Sequence, residues 1–264
     1  MCKKSNRITV TERTERMSFL LLSLLITLMF ESSAQTNYYV STTGNNSDLG
    51  SYSQPWLSVQ FGLDQLTPGD TLNLMAGVYN EKVVFNVSGT VGQRITLRNN
   101  SGDNAILDGT GLTSTVPMIE ISDQDHITVN GLTIRNNEML DAQGILVDGG
   151  SDGITISNNL LHDINFSTNP NANVNENKNS QPIIIYGTMG SDAITDLLIN
   201  GNEVRDSRTG FSEGLAVNGN VDGFTVSNNH VHDITNIGID IIGHEGTSPN
   251  TSTDQARNGI IIDN

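Results

Sequence analysis

The sequence is poor in cysteine and in positive charge. It has one cysteine, Cys2, and 13 Lys and Arg against 29 Asp and Glu, which gives a formal net charge of -16 at pH 7. A single cysteine excludes a disulfide framework and a thiolate metal site. So few cations exclude the basic surface with which nucleic-acid-binding proteins neutralise phosphates, and we expect no nucleic-acid partner.

Long hydrophobic runs are also lacking, apart from one near the N-terminus. Residues 19–30 read FLLLSLLITLMF, after two arginines and before a group of small residues. This order is typical of a secretory signal peptide, and the run is shorter than the ~20 residues of a spanning helix, with a membrane anchor as the alternative. We predict a signal peptide at residues 1–34, no transmembrane span after its cleavage, and a secreted, periplasmic or cell-surface location.

What the sequence does contain is a repeat. Four similar segments start 27, 43 and 27 residues apart, and the long interval holds an Asn-rich insertion at residues 167–180. The segments are residues 127–134, 154–161, 197–204 and 224–231. A second series of short apolar runs alternates with them, at residues 118–121, 144–147, 182–185, 214–217 and 238–241. Repeats made only of short strands and turns predict a solenoid of stacked coils joined by parallel sheets.

Alternation within the repeats predicts the core. The side chains expected to point inward are Ile127, Val129, Ile154, Ile156, Leu197, Ile199, Phe224 and Val226. Asn159, Asn202 and Asn229 share one position after the strands. We expect these asparagines to take the left-handed conformation of a sharp corner and to bond to one another along the axis.

The two ends of the solenoid differ in sequence. Residues 57–66 (LSVQFGLDQL) predict a short helix that covers the N-terminal end. Residues 259–264 begin another coil with no closing element after it. Because a solenoid needs a cap at each end, we expect the domain of residues 35–264 to be truncated at its C-terminus.

Motifs in the N-terminal part carry a family resemblance. They are YYVSTTG at residues 38–44, Pro-Trp at 55–56, TPGD at 67–70 and AGVY at 76–79. With the repeats, they resemble exported right-handed parallel β-helix proteins, among them polysaccharide lyases of the pectate lyase 9 and chondroitinase B kinds. The resemblance implies an all-β, right-handed parallel β-helix with a short N-terminal capping helix and a polysaccharide partner. It does not select a reaction, because this scaffold carries several chemistries.

Glu213 and Asp240 are the candidate metal ligands. In lyases of the pectate lyase 9 kind, acidic residues on successive coils hold calcium, and the segments FSEGL and NIGID around these two residues resemble those coils. The resemblance therefore implies calcium as cofactor, held through carboxylate oxygens. Asn236 and Ile237 stand where the family pattern has an acidic pair. Solvated turn residues are the alternative interpretation of both acids.

Arg205 and Arg208 are the candidate substrate-binding residues. A guanidinium can hold a substrate carboxylate through two parallel hydrogen bonds. The alternative is an ion pair with a nearby acid, for which Glu203, Asp206 and Glu213 are available.

His244 and Glu245 are the candidate catalytic residues. They lie in the segment GHEG, on a Gly-flanked loop after the last second-series run. A histidine and a glutamate there could move protons, bind sugar or meet a metal, and an ordinary surface loop is the alternative. Lys82 and Lys178 are the lysines left after residue 34. Lys82 is more readily explained as a solvated charge, whereas Lys178, in the insertion, could overhang a groove or serve solubility.

These features predict an exported protein that binds or degrades a polysaccharide. The leading hypothesis is a lyase-like protein acting on an acidic glycan. One alternative is a non-catalytic surface or adhesion module of the same fold. Another is a glycoside hydrolase in which Asp240 and Glu245 form the pair of carboxylates.

Overall fold

The computed structural model describes residues 35–113 and 117–264. Within these ranges the chain forms 21 short strands and one short helix. No helix in the same ranges combines the length and the apolar character needed to cross a membrane. The predicted signal peptide at residues 1–34 lies outside the described residues.

The strands are two to eight residues long. The first eleven are β1 Asn37–Val40, β2 Thr71–Leu74, β3 Gly77–Tyr79, β4 Val83–Phe85, β5 Ile95–Asn99, β6 Ala105–Asp108, β7 Ile119–Ser122, β8 Ile127–Asn130, β9 Thr133–Glu138, β10 Ala142–Asp148 and β11 Thr155–Ser157. The others are β12 Leu160–Asn165, β13 Ser180–Gly187, β14 Ile194–Asn200, β15 Glu203–Arg205, β16 Glu213–Gly219, β17 Val221–Ser227, β18 His230–Val231, β19 Ile237–Ile241, β20 Ala256–Arg257 and β21 Ile260–Ile262. The helix, α1, is Val59–Asp64.

The strands pair in parallel into three sheets. Sheet I contains β1, β2, β5, β8, β11, β14, β17, β20 and β21, sheet II contains β4, β7, β10, β13, β16 and β19, and sheet III contains β3, β6, β9, β12, β15 and β18. From β7 to β18 the chain visits sheets II, I and III in turn, so each coil adds one strand to each sheet. The predicted parallel β-helix is confirmed.

The core follows the predicted alternation. All eight side chains expected to point inward are buried, and the most exposed of them, Phe224, has 5% of its surface accessible. Equivalent residues stack from coil to coil, as where Val129 pairs in register with Leu97 on one side and Ile156 on the other. Each coil therefore buries its apolar face against its neighbours.

The expected capping helix is present as α1. Ser58 caps its N-terminus by accepting a hydrogen bond from the Phe61 backbone N–H (3.3 Å), and the Glu81 carboxylate accepts one from the Val59 backbone N–H (2.8 Å). Val59 and Leu63 are buried on the face that joins the core. The helix thus covers apolar side chains of the first coils.

The asparagines form the expected ladder along the axis. The Asn159 side-chain amide donates to the Asn202 Oδ1 (3.0 Å), Asn202 donates to the Asn229 Oδ1 (2.9 Å), and Asn229 donates to the Asn264 Oδ1 (2.8 Å). Each of these asparagines is one rung of the ladder. Each accepting Oδ1 also receives a hydrogen bond from the backbone N–H of the preceding rung. The first three side chains are buried.

The left-handed corner lies one residue earlier than predicted. Asn158 and Asn228 have φ of 55° and 54°, and Gly131 and Gly201 take the same place with φ of 73° and 69°. The expectation that the ladder asparagines themselves adopt this conformation is wrong. The residue before each rung turns the chain, and the rung then directs its amide along the axis.

Candidate functional site

A polar groove of about 370 Å³ lies on the outer face of sheet II. Its lining comes from β10, β13, β16 and the loops beside them, so the groove crosses successive coils. The lining residues are Asp141, Gln143, Asn179, Gln181, Ile184, Tyr186, Phe211, Ser212, Glu213, Asn218, Ile242 and Glu245.

A break in strand alternation turns polar side chains into this groove. Gly144 and Ile145 of β10 both face the core. Ile145 is buried, and a Cβ on Gly144 would lie 2.7 Å from a methyl group of the buried Leu161 of β12. The residue before them, Gln143, therefore faces outward. Gly214 occupies the corresponding place in β16, and Glu213 precedes it.

Amides and a phenol form one wall of the groove. The Gln181 side chain donates a hydrogen bond to the Tyr186 hydroxyl (2.8 Å), and the Gln143 side-chain amide lies 3.4 Å from the Gln181 Oε1. Tyr186 pairs in register with Asp148 and Asn218 on the neighbouring strands. These side chains offer donors and acceptors spaced along the solenoid axis.

Glu213 has the most perturbed carboxyl group in the groove. Burial, together with the negative charges of Asp240 and Glu245, raises its pKa to about 7. Burial also raises the pKa of Tyr186, to which the charges of Glu213 and Glu245 contribute. A carboxyl group that titrates near neutral pH can both donate and accept a proton under physiological conditions.

The loop that carries Glu245 is fastened to the groove. Asn218 donates a side-chain hydrogen bond to the Glu245 Oε2 (3.2 Å) and accepts one from the Thr247 hydroxyl (3.0 Å). The buried Asp254 carboxylate accepts the backbone N–H groups of Ser248 (2.8 Å) and Gly246 (2.7 Å). These backbone hydrogen bonds hold the pKa of Asp254 below its usual range.

The structure separates the two predicted catalytic residues. Glu245 lines the groove, whereas His244 is exposed, has a φ of 65° and is not among the lining residues. The His244 backbone N–H donates to the Asp254 carbonyl oxygen, so the residue takes part in closing the loop.

The two predicted substrate-binding arginines lie elsewhere. Arg205, in sheet III, forms ion pairs with Glu203 and Asp206, the ion-pair alternative considered for it. Arg208 donates to the backbone carbonyls of Asn169 (2.6 Å) and Ala172 (3.0 Å), and so it fastens the Asn-rich insertion. Neither guanidinium lines the groove.

The two predicted metal ligands are near each other but not in register. Glu213 pairs with Ile237, while Asp240 pairs with Ala216, three residues further along the strands. At ~3.3 Å per residue this is an offset of about 10 Å along the strand direction. No group of three or more His, Cys, Asp or Glu within residues 35–113 and 117–264 is arranged to hold a metal ion. This donor set does not fit a calcium site, and calcium binding stays a prediction from the resemblance.

Sequence reasoning missed several groove residues. Tyr186, Gln181 and Asn218 had no motif to mark them, and Phe211 is an exposed aromatic at the rim with 55% of its surface accessible. The available signal was the recurring glycine or proline that begins second-series runs, at positions 144, 182 and 214, because the residue before it faces outward.

Known proteins are similar to this chain in sequence. The chain is 34% identical to the uncharacterized protein YwoF of Bacillus subtilis strain 168 over 84% of its own length and 46% of that protein. It is 30% identical to the pectate lyase PEL9 of Emericella nidulans over 36% of its length and 23% of that protein. The chain thus spans about half of one relative and a quarter of the other.

Solved structures with a similar fold have lower identity. The GH136 lacto-N-biosidase from Eubacterium ramulus, as its selenomethionine derivative, superposes with a TM-score of 0.59 at 17% identity, over 85% of this chain and 45% of that one. A rhamnogalacturonan lyase superposes with a TM-score of 0.50 at 13% identity, over 87% of this chain and 62% of that one. Residues 38–230 match the family model of the Pel9A-like right-handed β-helix region. The chain is therefore a member of the Pel9A-like right-handed β-helix family.

Proposed function

We propose that this protein is exported, binds a polysaccharide along the groove on sheet II, and cleaves it with Glu213 as the proton-transferring group. The observation that carries the proposal is a carboxyl group with a pKa of about 7 inside a polar groove that also holds Glu245. The predicted signal peptide supports export. Membership of the family supports a glycan as the ligand.

The form of the groove suits an extended polymer. Its lining residues come from successive coils, so equivalent positions recur along the axis at the ~4.8 Å spacing of parallel strands. Gln143, Gln181 and Asn218 present amide groups that can bond to sugar hydroxyls. The exposed ring of Phe211 offers an apolar face against which a sugar ring can stack.

The carboxyl groups can divide the chemistry of hydrolysis. Protonated Glu213 gives its proton to the glycosidic oxygen as the bond to the anomeric carbon breaks. An ionised carboxylate, Glu245 or Asp240, takes a proton from the water that attacks that carbon. The released proton then returns Glu213 to its acid form by way of solvent.

Elimination from an acidic glycan is the second candidate reaction. It is favoured by membership of a family in which one relative is named a pectate lyase. It requires a group that neutralises the uronate carboxylate. No lysine or arginine is among the described residues that line the groove, and Glu213 and Asp240 do not fit a calcium site. A non-catalytic binding module is the third possibility that the experiment must separate.

The test is incubation of the protein with a panel of neutral and uronate polysaccharides, with calcium or with EDTA. New reducing ends without ultraviolet absorbance indicate hydrolysis, and absorbance of an unsaturated product indicates elimination. We expect Glu213→Gln to lower the rate at least about 100-fold, while Glu176→Gln, an exposed change in the insertion, leaves it unchanged. Binding without any product would show a non-catalytic module, and a fully active Glu213→Gln would refute the proposed role.

A further inference from the structure

The groove is acidic. Asp141, Glu213 and Glu245 line it, and Asp240 lies close enough to raise the pKa of Glu213. Within the described ranges, the lining contains no lysine and no arginine. The same face continues with Glu120, which pairs in register with Leu146 of β10.

Arginines that could offset this charge are engaged elsewhere. Arg205 is paired with Glu203 and Asp206 on sheet III. Arg208 bonds to backbone carbonyls of the insertion. A ligand carboxylate in the groove would therefore meet carboxylates and amides without a guanidinium to receive it.

A bridging cation does not have a ready site either. Ile237 is the residue opposite Glu213 on the neighbouring strand, and Asp240 lies three residues further along that strand. Calcium prefers six to eight oxygen ligands, and the described residues contain no cluster of three acidic or histidine side chains suited to a metal.

We infer that the groove selects an uncharged glycan and rejects polyuronates. The inference rests on the proposed function and names its substrate class. Hydroxyl groups of a neutral sugar donate to the carboxylates and exchange hydrogen bonds with the amides of Gln181 and Asn218. A uronate instead brings its own carboxylate next to the carboxylates of the groove. The repulsion between these like charges weakens the binding of polyuronates.

The sharpest test compares polymers that differ only in charge. Binding of polygalacturonate and of its carboxyl-reduced form is measured by calorimetry in EDTA and again in calcium, beside neutral xylan, mannan and glucan. We expect at least one neutral polymer to bind in EDTA, at least about tenfold more tightly than any polyuronate. Glu245→Gln should reduce this difference in affinity between neutral polymer and polyuronate at low salt, and Glu176→Gln should leave the difference unchanged.

The outcomes separate the two claims. Tighter binding of a polyuronate, with or without calcium, would overturn the inference and leave the proposed polysaccharide function standing. Equal affinity for the charged and uncharged forms would also overturn it. Binding of no polymer in either class would overturn the proposed function itself.

Discussion

Side chains on neighbouring coils affect Glu213 and Asn202 in opposite ways. Glu213 meets the like charges of Asp240 and Glu245, which disfavour its ionised form. Asn202 has partners for both its amide groups, since it accepts from Asn159 and donates to Asn229. The same coil-to-coil stacking thus destabilises one polar side chain and stabilises the other.

Replacement of Glu213 by glutamine should flatten the pH dependence of stability. Because the native pKa, about 7, is above the usual 4.5, the native state binds more protons than the unfolded state between these values, and stability falls as pH rises through this window. We expect a loss of about 1–2 kcal/mol from pH 5 to pH 8, after allowance for partial exposure. Urea unfolding at both pH values measures it, and an identical loss in Glu213→Gln would contradict the assignment.

Truncation of a ladder asparagine should be costly. Asn202→Ala leaves the buried Asn159 backbone N–H without its acceptor and removes the side-chain hydrogen bond to the Ile156 carbonyl. We expect the free energy of unfolding to fall by about 2–4 kcal/mol. Asn173→Ala, an exposed change in the insertion, should stay within about 0.5 kcal/mol, and equal effects of the two changes in urea unfolding would argue against the ladder.

At the scale of elements, the insertion is a loop fastened by one arginine. It joins β12 to β13, and its residue Asn179 lines the groove. The backbone N–H of Phe211 donates to the Lys178 carbonyl (2.8 Å), so the end of the insertion also supports the aromatic rim. The loop that Arg208 holds near its start therefore reaches the groove at its end.

Arg208→Met should loosen the insertion. Methionine can keep an apolar contact with Phe166, over which the guanidinium lies at 4.7 Å, but it cannot donate to the two carbonyls. We expect faster protease cleavage within residues 167–180, and no acceleration in Arg205→Met, the matched control. A loss of glycan affinity without faster cleavage would instead support direct substrate binding by Arg208.

The sequence predicts the strands and the core of this protein better than its groove. Spacing and alternation are local properties, so they place Ile156 and Val129 in the core correctly. Whether Glu245 faces a groove while His244 faces solvent depends on how a loop closes on Asp254, which no repeat encodes. Tyr186 becomes a groove residue only through its neighbours on other coils.

At the scale of the whole molecule, negative charge dominates. Residues 35–264 carry 8 basic and 26 acidic residues, since residues 1–34 hold five of the 13 basic and three of the 29 acidic ones. Such an excess repels itself in the compact state. Salt should therefore stabilise the protein through screening.

We expect the melting temperature to rise by about 2–4 °C from 20 to 300 mM NaCl, which corresponds to about 1 kcal/mol. Differential scanning calorimetry measures the shift. A comparison at equal ionic strength with CaCl2 provides the control for specific calcium binding, because any extra stabilisation by calcium should then disappear in Asp240→Asn. A melting temperature that falls with NaCl would contradict the account of self-repulsion.

The asparagine ladder keeps its spacing whether the chain between two rungs is 27 or 43 residues long. The length of a loop therefore does not affect the stacking of the coils, because the extra residues leave the coil at one corner and return to it in register. Loops such as the insertion can be shortened, lengthened or exchanged as modules. An engineer could reshape the rim of the groove in this way, and thereby change its specificity, without altering a single core residue.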